Sequence, residues 1–283
     1  MLKVVELLVA FDAHFHLDRN VKAIGLPQGA SFEDVLAGPA VESGKEVDLV
    51  GSCVSFCDPY TYPAGRSLLD LPEDMVVAVG LHPKHHIRHQ KDEDDSFRKL
   101  KELSWLGRVT AIVEMGLDHI EPRRRWPEQM DLLERVLTLL RVRHTLVLHC
   151  RGMPGDTGTE TYMLLLHLVR KNVPADQRIY FHCFSGDEYV LSQWFAAFPD
   201  LYLGFTCMVQ SFSGPQIRAV KAVAADRIVL ETEAPYFVGA GHRYSAPNQL
   251  YSVAEIIAPI RQIQVYVLLQ ASAENARRPF NQQ

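Results

Sequence analysis

Short apolar runs recur along this chain, and stretches with helical spacing separate them. Eight runs read as strands: "VVELLVAF", which leads to His14 and His16, then "VDLVGSCVSF", "MVVAVGLHP", "VTAIVEMGLD", "TLVLHC", "RIYFHCF", "LYLGFTC" and "RIVLETEAP". Their apolar residues are continuous rather than alternating, which fits parallel strands buried on both faces. In "PEQMDLLERVLTLLRVR", Met130, Leu133, Val136, Leu137 and Leu140 follow a step of three to four, as an amphipathic helix requires. "TETYMLLLHLVRK", "DEYVLSQWFAAF" and "GPQIRAVKAVAA" read the same way, and the tail from Asn248 to Gln283 supplies the last helices. This alternation predicts an α/β fold: a (β/α)8 TIM barrel, one domain over residues 1–283. The acidic run "KDEDD" at Lys91 to Asp95 reads as a solvated loop.

Composition narrows the function classes. A net charge of −5 over 283 residues argues against a broad basic face for gripping long duplexes. It leaves room for short or single-stranded nucleic-acid ends in a locally positive pocket. Five cysteines, Cys53, Cys57, Cys150, Cys183 and Cys207, are scattered without a CxxC pair, so no disulfide framework is expected. The opening "MLKVVELLVAF" contains Glu6 and lacks a small-residue cleavage site, unlike a signal peptide. No apolar run approaches the roughly 20 residues that cross a bilayer. The expectation is a cytoplasmic protein, or a nuclear one in a eukaryotic cell, with no membrane partner; oligomeric state stays open.

In a barrel of this kind the chemistry gathers at the carboxyl ends of the strands. Metal-binding residue types stand there repeatedly: His14 and His16 after the first strand, His82 after the third, Glu114 in the fourth, His149 in the fifth, His182 after the sixth and Glu233 after the eighth. Residues i and i+2 of a strand share a face, so His14 and His16 can reach one ion. Cys150 and Cys183 each follow a candidate histidine and are expected to fill the layer between barrel and helices.

Two histidines from one strand, two from strands five and six, and Glu114 between them suggest two divalent ions bridged by that carboxylate. Such a pair, about 3.5–4 Å apart, activates water and stabilises the leaving oxygen of an in-line displacement. Imidazole with carboxylate suits Zn2+ or Mn2+, and weakly held Mg2+ also fits. Glu233 is placed to be both a ligand and the general base. Asp118 and His82 read as partners that orient ligands or touch substrate. Lys84, Arg88, Arg151 and the run Arg123 to Arg125 are candidate phosphate contacts, with Arg151 preferred and the arginine run read as a solvated loop. Tyr236 and Phe237 could stack a base or pack beneath a loop.

The blocks "FDAHFHLD", "GLHP", "VEMGLDH", "LHCR", "FHCFSG", "DRIVLETEAPYF" and "SAENARRPF" resemble, in order and spacing from Phe11 to Phe280, the signature of the TatD family of metal-dependent nucleases. The resemblance implies a (β/α)8 metallohydrolase that cleaves phosphodiester bonds in DNA, or RNA, as a 3′-to-5′ exonuclease on single strands. It implies that His14, His16, Glu114 and the strand-eight acid hold one ion, and that Glu114, His149 and His182 hold the other. The chain departs from the family pattern at Glu233, where Asp is usual; the extra methylene displaces the carboxylate by about 1.5 Å. It also departs at Lys84 and in the "RGMPGDTGTE" loop after His149. Two alternatives stay open: a related hydrolase of an amide, lactone or phosphotriester, and a TatD-like scaffold that Glu233 has converted into a binding protein.

Overall fold

The computed structural model describes residues 8–37, 47–85, 90–239 and 243–280. Eight strands form one parallel sheet in sequential order. They are β1 (Val9–Phe15), β2 (Asp48–Phe56), β3 (Met75–Gly80), β4 (Val109–Asp118), β5 (Thr145–Arg151), β6 (Ile179–Phe181), β7 (Leu201–Phe205) and β8 (Ile228–Leu230). The helices between and after them are α1 (Leu17–Ile24), α2 (Phe32–Leu36), α3 (Gln90–Ser104), α4 (Trp126–Leu137), α5 (Thr159–Asn172), α6 (Glu188–Ala197), α7 (Gly214–Ala222), α8 (Leu250–Arg261) and α9 (Val265–Arg277). The sheet curls until its edges meet: Phe15 bridges Ala234, with His16 N donating to Ala234 O at 2.8 Å and Glu233 N to His14 O at 2.9 Å. This is the single-domain (β/α)8 barrel that the strand pattern predicts.

Two apolar layers hold it together. Residues such as Ile112, Met115, Leu146 and Leu148 point outward and pack beneath the helices, where Leu133, Val136 and Leu137 of α4 meet them. Met130 and Leu140 pack against the same layer while partly buried. Phe11, Ala13, Val76, Ala111, Val113, Val147 and Tyr180 fill the barrel itself, and Phe280 beyond α9 closes the end opposite the site. Each such large side chain contributes on the order of 1.5–3 kcal/mol through burial.

One sequence expectation is corrected. The run from Lys91 to Asp95 lies in the first turns of α3 rather than in a loop. Asp92 and Glu93 sit near the helix N-terminus, where negative charge favours the helix dipole. Arg135 of α4 pairs with Glu93 and, at 3.2 Å, with Asp94. The segment Arg123–Arg125 is a short 3-10 turn, with Arg125 paired to Glu128 at 3.0 Å and Arg123 over the Trp126 ring. All five cysteines are free and buried. No single described helix is long and apolar enough to cross a membrane. Arg88 lies outside the described residues.

Candidate metal centre

The carboxyl ends of the strands deliver the candidate residues to one place, and two backbone irregularities aim the carboxylates. In β4, Ala111 and Val113 face the barrel interior while Ile112 faces the helices. Simple alternation would send Glu114 outward with Ile112. A register shift between Ile112 and Met115 against β5, with φ of 61° at Glu114, turns that side chain into the barrel instead. Glu233, three residues past β8, also takes a left-handed φ of 56°. Two non-glycine residues in this sparsely populated region, both aimed at one spot, mark a functional constraint. Gly116 completes the arrangement, because a Cβ there would run into the His149 carbonyl oxygen.

Glu114 is the centre of the cluster, and its two oxygens divide the histidines into pairs. Oε1 lies 3.5 Å from His14 Nε2 and 3.2 Å from His16 Nε2. Oε2 lies 3.3 Å from His149 Nδ1 and 3.0 Å from His182 Nε2. Glu233 reaches the first pair, with Oε2 3.2 Å from His14 Nε2 and Oε1 3.5 Å from His16 Nε2. It also stands 3.6 Å from His182 Nδ1. The extra methylene of Glu233 therefore does not keep its carboxylate out of the cluster.

Neighbouring groups set which imidazole nitrogen is free. His16 Nδ1 lies 3.2 Å from the Ser55 carbonyl oxygen, which accepts its proton, so Nε2 is the nitrogen that faces the carboxylates. Ser55 Oγ sits 3.4 Å from His14 Nδ1. Asp118 Oδ2 lies 3.2 Å from His149 Nε2, so Nδ1 is left to face Glu114. Gln129 of α4 fixes the Asp118 backbone through both its amide groups. His82 differs: its Nδ1 accepts from Lys84 N at 2.9 Å, so its proton sits on Nε2, 3.9 Å from Glu114 Oε2. Neutral His82 is thus a donor toward the cluster rather than a lone pair. Lys84 Nζ and Arg151 reach Asp118 at 3.2 and 3.7 Å.

Burial lowers the His14 imidazole to about 4 and His82 to about 3. Burial alone would raise Glu114 and Glu233, but His182 and His82 around the first, and His14, His16 and His182 around the second, hold both carboxyls well below their usual range. The converse applies at His16 and His182. Burial disfavours their protonated forms, yet Cys57, Glu114 and Glu233 raise the first, and Glu114, Cys183 and Glu233 raise the second. In the absence of an ion the two carboxylates are therefore neutralised by imidazole protons, which a divalent cation would replace.

Among the buried atoms without a hydrogen-bond partner are five of this cluster: His14 Nε2, His16 Nε2, Glu114 Oε2, His182 Nδ1 and Glu233 Oε2. Buried polar atoms are seldom left unsatisfied, and here five gather at one spot. Ligand atoms of His14, Glu114, His182 and Glu233 lie within 4.8 Å of one another. Nitrogen and oxygen donors in this arrangement suit a divalent metal. The donor set fits.

Several residues at the site were not singled out by the sequence reading. Ser55 and Cys57 end β2 in "VSFCDP", so the same strand-end rule reaches them. Beneath the cluster, Glu231 accepts from Tyr180 OH and Cys183 N. Burial raises the Glu231 carboxyl to about 7. Cys150 fills the barrel–helix layer as expected. Cys183 does not: with φ of 48° it stands beside Glu231 and His182. A cavity of about 1090 Å³ opens above the cluster, lined among others by His82, Lys84, Glu114, His149, Arg151 and Glu233. Tyr236 and Phe237 line it too.

A barrel that gathers paired carboxylates and imidazoles at its catalytic end defines the class of metal-dependent hydrolases. A family model described as TatD related DNase matches residues 11–281, and the chain belongs to that family, whose chemistry is hydrolysis of phosphodiester bonds. The human protein described as 3′-5′ RNA nuclease TATDN2 is 31% identical over 287 residues, covering 95% of this chain and 35% of that protein. This chain thus spans about a third of that relative's length. The uncharacterized metal-dependent hydrolase YcfH of Escherichia coli K12 is 25% identical, with 95% of each chain covered. Among solved structures, YJJV, a TatD homolog from Escherichia coli K12, superposes with a TM-score of 0.70 at 18% identity over 96% of this chain and 98% of its own. A hydrolase TatD family protein from Entamoeba histolytica gives the same TM-score at 14% identity over 98% and 100%. At these identities the likeness supports the fold.

Proposed function

We propose that this chain is a 3′-to-5′ exonuclease that removes nucleotides from single-stranded DNA or RNA ends with the help of two divalent ions. The observation that carries the reading is the division of four imidazoles between the two oxygens of Glu114, the arrangement expected of a bridging carboxylate. His14, His16, Glu114 and Glu233 would hold one ion, and Glu114, His149 and His182 the other. Bound there, divalent ions supply Lewis acidity toward a phosphoryl oxygen and lower the pKa of water.

The remaining work falls to the chain's own side chains. Glu233 is ionised, lies beside the β1 imidazoles and opens onto the cavity, so its carboxylate accepts the proton of the attacking water. Glu114 is buried at the floor of the cavity and fixes the histidines. Asp118 holds the His149 tautomer. His82 Nε2–H, Lys84 and Arg151 offer donors at the cavity wall, where they orient a phosphate. The RNA nuclease named among the relatives supports including RNA as a substrate, and the pocket-like site supports chain ends over duplex interiors.

Metal analysis and end-labelled oligonucleotides test this together. Two ions per chain and stepwise shortening from the 3′ end of single-stranded substrates are expected with Mg2+, Mn2+ or Zn2+. One ion per chain, cleavage confined to amide or lactone panels, or internal cuts as the first products would overturn it.

A further inference from the structure

The cations around the large cavity are not equivalent. Lys84 and Arg151 share Asp118, so part of their charge is already answered. Arg19, in the first turn of α1, lines the same cavity beside Glu114 and Glu233. Its guanidinium donates to Cys57 Sγ at 3.0 Å and to the Tyr236 hydroxyl at 3.4 Å. Sulfur and a phenol oxygen are both weak acceptors for a guanidinium. Among the described residues no carboxylate stands within ion-pair distance of Arg19, although Glu114 and Asp18 act on it from further away. Guanidinium carries five N–H donors, of which the contacts to Cys57 and Tyr236 use two.

Other described arginines are settled differently. Arg98, Arg135, Arg218 and Arg227 pair with carboxylates. Arg108, Arg143, Arg178 and Arg261 donate to backbone carbonyls. Arg19 alone of these combines a position in the cavity wall with only sulfur and phenol acceptors. The Tyr236 ring lies beside it, with the guanidinium 5.8 Å from the ring centroid. Tyr236 is 45% exposed and Tyr60, elsewhere in the same cavity wall, 73%. A cation and exposed rings in one cavity match the phosphates and bases of a single strand.

We infer that Arg19 binds a backbone phosphate of the strand seated in the large cavity, forking two N–H groups onto its oxygens, while Tyr60 and Tyr236 receive the adjoining bases. This rests on the nuclease reading above and adds to it a residue that no strand-end pattern marks. Arg19 is a substrate-binding residue, and its loss acts on affinity before turnover.

The test uses manganese-loaded protein and fluorescein-labelled oligothymidylate with phosphorothioate linkages, with binding followed by anisotropy between about 50 and 200 mM salt. Arg19→Gln is expected to weaken binding about tenfold at the lowest salt and to make the log–log salt slope shallower by about 0.7, the value of one single-strand phosphate contact. Arg19→Lys should keep the slope and lose only part of the affinity, because an ammonium holds the charge without the fork. In wild type, one methylphosphonate linkage stepped along the oligonucleotide should weaken binding most at one position, and Arg19→Gln should erase that position's penalty. An unchanged slope in Arg19→Gln, or a positional penalty that survives it, overturns the assignment. The wild-type positional scan stands even if a variant fails to fold, and a flat scan also overturns it. Failure of unmodified oligonucleotides to be cleaved by wild type would instead sink the nuclease reading.

Discussion

The two sides of Glu114 are built from the same imidazole chemistry but supported by different neighbours. On the β1 side, His14 and His16 rest on Ser55 through a hydroxyl and a carbonyl, both neutral, and face the second carboxylate, Glu233. On the β5 side, His149 rests on the carboxylate of Asp118, which also holds Lys84 and Arg151, and Glu233 reaches His182 of this pair at 3.6 Å. The β1 side therefore concentrates negative charge in direct contact with any ion. The β5 side places its negative charge one residue further out, where it makes His149 a stronger donor and anchors cations at the cavity wall. Under the proposed function, one side would hold an ion and deprotonate water and the other would receive a phosphate.

Substitutions can break that asymmetry. Glu114→Gln removes the group common to both sides; turnover should fall at least about 10³-fold, a loss on the scale of deleting a key electrostatic group, and metal analysis should show both ions weakened. Loss of only one ion would mean that Glu114 does not bridge. Glu233→Asp withdraws the carboxylate by about one carbon–carbon bond, and a misplacement of that size should lower kcat about 10²-fold. If that variant gains activity over wild type, glutamate has disabled the site. Asp118→Asn should cost about 10- to 100-fold in affinity for one ion and leave the other nearly unchanged. Equal weakening of both ions in titration calorimetry would erase the distinction between the sides.

Protons give a further handle. His16 and His182 are held above the usual imidazole value, so in metal-free protein near neutral pH they carry protons that an ion must displace. Apparent metal affinity should therefore rise with pH, by up to about tenfold per unit for each proton displaced, and flatten once both imidazoles are neutral. Calorimetry in buffers of different ionisation enthalpy reads the released protons. Binding without proton release would mean both imidazoles are already neutral.

Much of the barrel was legible because parallel strands buried on both faces leave long apolar runs, and their carboxyl ends flag His14, His16, His149 and His182. The same rule flagged Glu114 and Glu233, but not the broken regularities that aim them. Glu114 stands on the outward-facing parity of its strand and reaches the centre only through a bulge and a left-handed φ. The acidic run before Ser96 looks like a loop until Arg98 of the same helix and Arg135 of the next meet it. Arg19 sits at the start of a helix, where nothing local distinguishes it from a solvated arginine. Its surroundings come from β2 and from the turn after β8, distant in sequence and adjacent only in the closed barrel.

Barrel closure runs through the site itself, since Glu233 N reaches His14 O and His16 N reaches Ala234 O. The first strand and the turn after the last are joined at the residues that make the chemistry. Until the segment after β8 docks on β1, His14 and His16 therefore have no Glu233 to face: closing the fold and assembling the cluster are one event.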